Sequence, residues 1–426
     1  MKIYEYNKLT EKEISLLLKR PAIDLDSTFK IVKPILKEIK EQGLKKVYEY
    51  AEKFDGLIDN NIRVTSEEFD DSSRQLKQEK KDAINAAAEN IKRFHEKQLP
   101  KNYSIETQPG VSCSREFRAI ENVGLYIPGG TAVLPSTVLM LGIPANLAGC
   151  LRIIACSPAK EKIDPAVLYA ARVAGIDEFY KVGGAQAIAM MAYGNEEISK
   201  VDKIFGPGNQ FVTAAKILVN SDPDGCLVDM PAGPSEVLII ADKYADASFI
   251  ASDLLSQAEH GKDSQVILLA DDKKLIDDVL KEIDVQKEYL PRKEYVEQCL
   301  NSSYALLINS ISDGIIFSNK YAPEHLILNV DQAESYVDKI INAGSVFIGA
   351  YSPESAGDYA SGTNHSLPTY GYAKSIGGVS VEMFMKAITF QNLTKSGLEK
   401  ISQTVIQLAE TEKLLAHANA IRVRLK

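Results

Sequence analysis

Histidine is scarce in this chain of 426 residues, and four of its five histidines stand beside acids, amides or glycines. These four are His260, His325, His365 and His417, whereas His95 lies in an ordinary charged helical stretch with no other reactive candidate nearby. Imidazole titrates near neutral pH and is a common metal ligand. Acid–base catalysis and metal binding are therefore the first kinds of chemistry to consider.

Gln257 and His260 stand three residues apart in a stretch with helical periodicity. Residues at that spacing share one face of a helix, and we expect Gly261 to cap the carboxyl end of this helix. An amide oxygen and an imidazole on one face can ligate zinc, the imidazole being the better donor. A capping histidine beside a solvated glutamine is the simpler interpretation when these residues are taken alone.

Glu324 and His325 follow a proline and precede the apolar run 326–328, which places them at the start of a predicted strand. An adjacent carboxyl and imidazole suit general acid–base catalysis, because burial raises the pKa of a carboxyl towards neutrality and histidine already titrates there. Taken alone, the pair is also explained as a polar strand edge.

A long stretch rich in Gly, Ser, Thr and Tyr, residues 344–381, contains Asp358 and His365. A loop of this length within a compact protein is more often functional than idle. It adds a carboxylate and an imidazole to the candidates. Turn-forming Asp and Asn residues with a hydrogen-bonded histidine would explain the same stretch.

Glu412 and His417 form the last candidate pair, near the end of the chain. Residues five apart on a straight helix are rotated by about 140° from each other. The two side chains can therefore meet one ligand only if they flank it or if the helix bends. A solvated helix surface is the default interpretation.

Three glycine turns follow predicted strands, and neither G-x-G-x-x-G nor G-x-x-x-x-G-K-[ST] occurs in the sequence. The turns are YIPGG at 126–130, GGAQ at 183–186 and GPGN at 206–209. Glycine turns that lead into helix N-termini can hold phosphate through backbone N–H groups and the helix dipole. Such turns also serve simply to connect elements, so nucleotide binding and mere connection both stay open.

Two α/β arrays are predicted to position these candidates. From residue 124 onward, short β-branched runs alternate with apolar helical runs, and a second such array begins at residue 236. The pattern is typical of parallel sheets covered on both faces, with ligands bound between domains. We predict two Rossmann-like parallel-sheet α/β domains with helical N- and C-terminal extensions. The predicted parts are an N-terminal helical extension (1–25), a helical segment packing on the second α/β domain (26–123), the first α/β domain (124–235), the second α/β domain (236–380) and a C-terminal helical tail (381–426).

Charge and cysteine content favour a cytoplasmic protein that binds small molecules. The net charge is −9, and no block of lysine and arginine occurs, which disfavours nucleic acid and anionic membranes as partners. Five cysteines without a C-x-x-C pair indicate neither a disulfide framework nor a thiolate zinc site. The first 20 residues lack the apolar run of a secretory signal. The uncharged stretch 122–151 is interrupted by prolines and glycines, so we expect strand, loop and helix there instead of a membrane span.

Several longer motifs together resemble the histidinol dehydrogenase family. The similarity covers residues 124–365, with a shorter match at 412–417 and weaker similarity towards both termini. The motifs are GLYIPGG (124–130), PSTVLM (135–140), GGAQ (183–186), GPGN (206–209), AGPSE (232–236), SQAEH (256–260), APEH (322–325) and GTNH (362–365).

This resemblance implies a zinc- and NAD-dependent oxidation of L-histidinol to L-histidine through histidinal, the last step of histidine biosynthesis. It further implies one Zn²⁺ per subunit and an intertwined homodimer that exchanges its C-terminal tails. NAD would lie on the first α/β domain, and zinc and substrate on the second.

The same resemblance assigns a role to each matching residue. The implied zinc ligands, which also contact substrate, are Gln257, His260, Asp358 and, from the tail of the partner subunit, His417. The other implied substrate contacts are Ser235, His325, His365 and Glu412. Glu324 and His325 would be the catalytic acid–base residues, and the NAD site would be lined by Tyr126, Gln186 and Asn209.

Two positions depart from the family pattern: Lys413 stands where glycine is expected, and Leu134 replaces an aromatic residue. Two other enzymes remain alternatives. A zinc hydrolase would use the same ligands with Glu324 as general base, and a divergent family member would oxidise another amino alcohol. A binding protein without activity would leave the pair Glu324 and His325 unexplained.

Overall fold

The computed structural model describes residues 1–20, 25–58, 61–129, 133–176, 178–230 and 233–426. Within these residues there are 14 strands and 16 α-helices. The strands are β1 (Lys2–Glu5), β2 (Tyr103–Gln108), β3 (Val111–Ala119), β4 (Asn122–Tyr126), β5 (Arg152–Cys156), β6 (Glu178–Tyr180), β7 (Lys203–Phe205), β8 (Leu227–Val228), β9 (Glu236–Ala241), β10 (Gln265–Ala270), β11 (Tyr304–Leu307), β12 (His325–Asn329), β13 (Ser345–Ile348) and β14 (Met385–Leu393). The helices are α1 (Glu11–Leu17), α2 (Leu25–Gln42), α3 (Leu44–Tyr50), α4 (Ser66–Gln75), α5 (Gln78–His95), α6 (Pro135–Ala148), α7 (Pro165–Val173), α8 (Gly184–Tyr193), α9 (Gln210–Ser221), α10 (Ala247–Ala258), α11 (Lys273–Gln286), α12 (Lys293–Ser302), α13 (Ile311–Tyr321), α14 (Glu354–Tyr359), α15 (Lys395–Thr411) and α16 (Leu415–Arg422).

Two parallel sheets form the framework, which confirms the predicted α/β class. One has five strands in the order β6-β5-β4-β7-β8, and the other has six in the order β1-β11-β10-β9-β12-β13. Every pairing within these two sheets is parallel. Strands β9, β10 and β12 are buried along their whole length, because helices cover both faces of the six-stranded sheet.

The helical segment 26–123 packs mainly on the five-stranded sheet, whereas we expected it on the second α/β domain. Val32, Ile35 and Ile39 of α2 share a core with α8 and α9, and on the other face α4 and α5 share a core with α6 and α7. Helical periodicity shows that a helix has an apolar face but not which surface covers it, so the partner could not be derived from spacing alone.

The N-terminal segment is not wholly helical, because β1 adds an edge strand to the six-stranded sheet by pairing with β11. Helix α1 follows, and its start is fixed by a capping box between Thr10 and Glu13. A strand of four residues has too little pattern to be recognised without its partner strand.

A third, antiparallel sheet of order β14-β3-β2 corrects two further predictions. Strand β14 lies within the tail predicted as helical, and β2 and β3 lie within the segment 26–123. Strand β14 pairs with β3 over nine residues although most of its own side chains are exposed. Such a strand is stabilised by pairing with residues distant in sequence, and local propensity does not reveal it.

The uncharged stretch 122–151 contains strand β4 and the almost completely buried helix α6, as expected. Among the described residues, no helix is both long and apolar enough to cross a bilayer.

Candidate active site

The pair Glu324 and His325 lies at the amino edge of the six-stranded sheet, where β12 runs beside β9. His325 is the first residue of β12, as predicted, and lies opposite Val237 in β9 and Ser345 in β13. Helix α14 brings Glu354 and Asp358 to the same edge, four residues apart and therefore on one face of the helix. Three parts of the chain thus converge on one buried point.

Both members of the pair are anchored to the backbone of Glu236, the first residue of β9. The Glu324 carboxylate accepts a hydrogen bond from the Glu236 N–H at 2.8 Å. The Nδ1 atom of His325 lies 3.2 Å from the Glu236 carbonyl oxygen, which can only accept. Nδ1 therefore carries a proton, and Nε2 is left facing the carboxylate of Asp358 at 3.7 Å.

Three side chains lie close enough together to hold a metal ion. His325, Glu354 and Asp358 each offer one ligand atom, and these atoms lie within 4.8 Å of one another. Of this cluster, only Asp358 was among the zinc ligands implied by the resemblance. Glu354 was not recognised from the sequence, although its spacing of four residues from Asp358 was a usable signal.

Several buried polar atoms at this edge have no hydrogen-bond partner in the described structure. They are Nε2 of His325, Oε2 of Glu354, Oδ1 of Asp358 and both amide atoms of Gln257. An unpaired buried polar group costs about 1–3 kcal/mol, so such groups are rarely found together. Their convergence indicates a site that a ligand completes.

Burial and mutual charge shift the titration of the cluster. Burial raises the pKa of Glu324 and that of Glu354 to about 8 each. Burial opposes the charged form of His325, but the neighbouring carboxylates, led by Glu354, outweigh it and raise the pKa of the imidazole to about 10. Burial also acts against the charged form of Asp358, yet the imidazoles around it, chiefly His325, hold its pKa below the ordinary value. The two glutamates therefore exchange protons close to neutral pH, the range useful for acid–base catalysis, whereas the carboxylates hold the imidazole of His325 in its protonated form.

Gln257 and His260 do not share a helix face, because α10 ends at Ala258. The helix ends in a right-handed turn at Glu259, and Gly261 does not adopt the left-handed conformation expected of a capping glycine. Gln257 is fully buried, whereas His260 is exposed beyond the helix end. His260 is nevertheless close enough to Asp358 to contribute to the lowered pKa of that carboxyl.

The loop that carries His365 bridges the two α/β units. His365 Nδ1 lies 2.9 Å from the carbonyl oxygen of Asp358, and its Nε2 lies 3.2 Å from the hydroxyl of Thr137 on α6. Ser235 is half-buried just before β9, and its carbonyl accepts the N–H of Gln265. Both residues are therefore near the cluster: Ser235 is the neighbour of Glu236 in the chain, and His365 contacts the backbone of Asp358.

His95 was set aside in the sequence analysis, but it supports this loop. The ring is fully buried, with Nδ1 2.8 Å from the carbonyl of Ile91 and Nε2 3.3 Å from the amide nitrogen of Asn364. Asn364 in turn donates to the carbonyl of Met140 at 2.6 Å. The charged helix around His95 gave no signal of this role.

Glu412 and His417 lie apart from the cluster. Helix α15 ends at Thr411 and α16 begins at Leu415, so the helix is interrupted between the two residues. Both side chains are exposed, and within the described residues neither has a hydrogen bond or ion pair to the cluster. Lys413, which stands where glycine is expected, has a positive φ of 60°.

The glycine turns meet at the carboxyl edge of the five-stranded sheet. The hydroxyl of Tyr126 accepts the N–H of Gly184 at 3.0 Å, and Gln186 donates to Asp55 at 3.0 Å. Asn209 is exposed and caps α9 by accepting from two backbone N–H groups. Asp55, which also accepts the N–H of Gly183, gave no recognisable signal within its charged stretch. Gly130 and Ala232, at the ends of two family motifs, lie outside the described residues.

Comparison with known proteins gives a consistent result along the chain. A sequence profile described as histidinol dehydrogenase matches residues 18–425. A curated histidinol dehydrogenase from Photobacterium profundum is 48% identical over 427 residues, which cover 100% of this chain and 96% of that protein. A crystal structure of histidinol dehydrogenase from Elizabethkingia anophelis has a TM-score of 0.94 and 50% identity, and the match covers 100% of this chain and 98% of that one.

Longer relatives match as well. A histidine biosynthesis trifunctional protein from Komagataella pastoris is 51% identical over 430 residues, which cover 99% of this chain. The match covers 50% of that protein. This chain likewise spans only about half the length of the other fungal trifunctional proteins that it matches.

Proposed function

Because this chain belongs to the histidinol dehydrogenase family, we propose that it oxidises L-histidinol to L-histidine through histidinal, with two molecules of NAD, in the last step of histidine biosynthesis. The observation that carries the proposal is the pair Glu324 and His325, anchored on Glu236 and facing unpaired polar atoms of Gln257, Glu354 and Asp358. The alternative enzymes, a zinc hydrolase and a family member that oxidises another amino alcohol, become outcomes of the test.

His325 is the base for the alcohol in this proposal. Despite burial, the neighbouring carboxylates raise the pKa of its imidazole to about 10, and a bound cation would offset their charge and leave Nε2 free to accept a proton. Its Nδ1 proton is held by the Glu236 carbonyl, so proton transfer takes place at Nε2, the atom without a partner. The hydroxyl proton of histidinol would pass to Nε2, and the hydride of the carbinol carbon would leave to NAD. Glu324 would then activate water for addition to the aldehyde, and the hydride of the hydrate would leave to a second NAD. The raised pKa of Glu324, about 8, lets the carboxyl take and release a proton near neutral pH.

Zinc fits the residues at this edge. The unpaired Gln257 amide and Asp358 carboxylate would supply oxygen ligands, His260 would supply a nitrogen, and His417 of a second copy would complete the set of four. When bound, the ion supplies positive charge that offsets the carboxylates and orients the imidazole and amine of the substrate. The substrate would also contact Ser235, His365 and Glu412.

An intertwined homodimer accounts for the placement of His417. The arm formed by β14, α15 and α16 buries few of its own side chains, and apolar residues such as Leu408, Leu415 and Val423 are exposed along it. Exposed apolar surface of this kind is typical of an interface. A second copy would cover the arm and receive Glu412 and His417 in its own site.

NAD would bind at the carboxyl edge of the five-stranded sheet, the usual ligand position in open parallel sheets. Tyr126, Gln186 and Asn209 are the proposed contacts there. We place the protein in the cytoplasm because its five cysteines are free and none belongs to a C-x-x-C pair. L-Histidinol, NAD and a second copy are its proposed partners, and nucleic acid and membranes are not.

The test is the absorbance of NADH formed from a limiting, known amount of L-histidinol. Chelator-stripped protein is assayed with and without added zinc. Two NADH per histidinol, dependent on zinc, are expected. One NADH per histidinol would contradict the second oxidation, and none with zinc restored would favour a hydrolase or another amino alcohol.

A further inference from the structure

We propose that Arg20, acting through Glu236, is a positioning residue for the catalytic pair. This inference rests on the proposed function. Arg20 comes from the N-terminal segment and reaches the amino edge of the six-stranded sheet, where Nε and Nη2 donate to the two carboxylate oxygens of Glu236 at 3.0 and 2.9 Å. The side chains of Arg20 and Glu236 are only 9% and 2% exposed. A bidentate pair this deeply buried holds its two members in one fixed geometry.

Glu236 connects the buried ion pair directly to the catalytic residues. Its side chain binds Arg20, while its own N–H and carbonyl bind Glu324 and the Nδ1 of His325. A displacement of the Glu236 side chain would therefore shift the backbone on which both catalytic groups depend. The guanidinium also lies over the ring of Tyr321, 3.6 Å from its centroid, which restricts Arg20 from a second direction.

The ion pair also holds two strained backbone positions. Within the described residues, four non-glycine residues have positive φ, and Ala322 at 56° and Tyr370 at 55° are two of them. Arg20 Nη2 donates to the carbonyl of Ala322 at 3.0 Å, and Glu236 accepts the N–H of Tyr370 at 2.9 Å. Strain of this type persists only where surrounding contacts impose it.

The position of Ala322 gives this strain a function. Ala322 caps the carboxyl end of α13 and precedes the proline that leads into Glu324, so its conformation sets the direction in which the chain enters β12. Arg20 thus holds Glu324 and His325 in position by two routes, one through Glu236 and one through the carbonyl of Ala322. Lysine cannot reproduce this, because a single ammonium lacks the planar fork of a guanidinium.

The test compares Arg20→Lys with a matched control, Arg152→Lys. Arg152 forms the same kind of contact far from the catalytic pair: two bonds to the Glu178 carboxylate at 2.9 and 3.2 Å and a third to the carbonyl of Ser199 at 2.9 Å. We expect Arg20→Lys to lower kcat for histidinol about 10- to 100-fold, the usual effect of a misplaced catalytic group, with the KM for NAD nearly unchanged. Arg152→Lys should leave both constants within about two-fold of wild type.

A spectroscopic measurement separates positioning from loss of folding and from failure of the proposed function. The chain has only five histidines, so after selective ¹⁵N labelling of histidine the signal that is missing in His325→Gln identifies the His325 ring. In zinc-loaded wild type the Nδ1 proton of His325 should exchange slowly, and in Arg20→Lys its exchange should be at least about ten-fold faster. This measurement needs no turnover and so stands even if L-histidinol gives no NADH.

Glu236→Gln provides a second variant if Arg20→Lys does not fold. Its amide oxygen still accepts one bond from Arg20, so a smaller fall in kcat and a smaller increase in proton exchange are expected. Unchanged exchange of the His325 proton in the folded variants would overturn the proposal, whether or not activity falls. An equal fall in kcat for Arg20→Lys and Arg152→Lys would overturn the proposal too.

Discussion

The two sheet edges that carry the candidate groups differ in how their polar atoms are satisfied. At the amino edge of the six-stranded sheet, atoms of Gln257, His325 and Asp358 are buried without partners. At the carboxyl edge of the five-stranded sheet, Tyr126 and Gln186 already bind Gly184 and Asp55. We call the first the incomplete edge, because a ligand is needed to complete its hydrogen bonding. We call the second the complete edge, because the described side chains of Tyr126 and Gln186 are already bonded there, and a ligand must add to or replace these bonds.

The largest expected effect comes from Glu324→Gln at the incomplete edge. Removing a general acid–base group costs about 10²- to 10⁴-fold in rate, and we expect this loss in the oxidation of histidinal. The oxidation of histidinol should fall less, because His325 serves that step. NADH formation from each substrate measures the two effects, with Glu178→Gln, far from the cluster, as the control. Equal losses in both oxidations would contradict the assigned roles.

Zinc should stabilise the protein through the incomplete edge only. An ion at about 100 times its Kd stabilises a protein that binds it only when folded by about 2.7 kcal/mol. We expect Asp358→Asn to lose this gain in the free energy of unfolding and Asp55→Asn, at the complete edge, to keep it. Denaturant unfolding with and without zinc provides the measurement. If Asp358→Asn kept the full gain, Asp358 would not be a ligand.

At the complete edge, the backbone itself should be intolerant of change. Gly206 has a φ of 122°, and a Cβ there would overlap the carbonyl oxygen of Tyr126. Gly206→Ala should therefore lower the free energy of unfolding by about 1–3 kcal/mol. Gly377→Ala is the matched control, because nothing lies within 4 Å of its Cβ position and its φ is not positive. Similar stabilities for the two variants would contradict this account.

His95 joins the five-stranded unit to the loop of the incomplete edge and should make it sensitive to acid. Burial lowers the pKa of His95 below its ordinary value. At mildly acid pH the imidazole is therefore protonated in the unfolded chain but neutral in the folded one. The free energy of unfolding falls as the pH drops below the pKa of histidine in the unfolded chain, about 6.5. For a single proton, the free energy of unfolding changes by at most about 1.4 kcal/mol per pH unit. Unfolding curves of wild type and His95→Gln between pH 7 and 5 should converge towards acid, and parallel curves would contradict this role.

The smallest effect concerns the arm that lies outside both edges. Lys413 has a φ of 60°, a conformation that glycine adopts without the steric cost of a side chain. Lys413→Gly should raise the free energy of unfolding by about 0.5–1 kcal/mol. Gln403→Gly, at an exposed position within α15, should lower it by about 1 kcal/mol. If both variants were destabilised, the strain at Lys413 would be compensated within the folded arm.

Sequence reasoning succeeded where a pattern is local. The alternation of apolar strands and helices predicted both parallel sheets, and the proline and apolar run around Glu324 and His325 predicted their place at the start of a strand. It failed where an element depends on a distant partner. Strand β14 is stabilised by β3 and β1 by β11, so neither has a local pattern strong enough to distinguish it from helix.

The sequence by itself determined the α/β class, the family and the reactive residue types, because hydrophobic period and motif spacing are properties of short segments. The tertiary structure alone decided which of these residues meet. It brought Glu354 to His325, buried His95 against Asn364, and carried Arg20 across 216 residues of sequence to Glu236. It also left His417 apart from the cluster of its own chain. Contacts between distant segments depend on how whole layers pack, and no spacing along the chain records that.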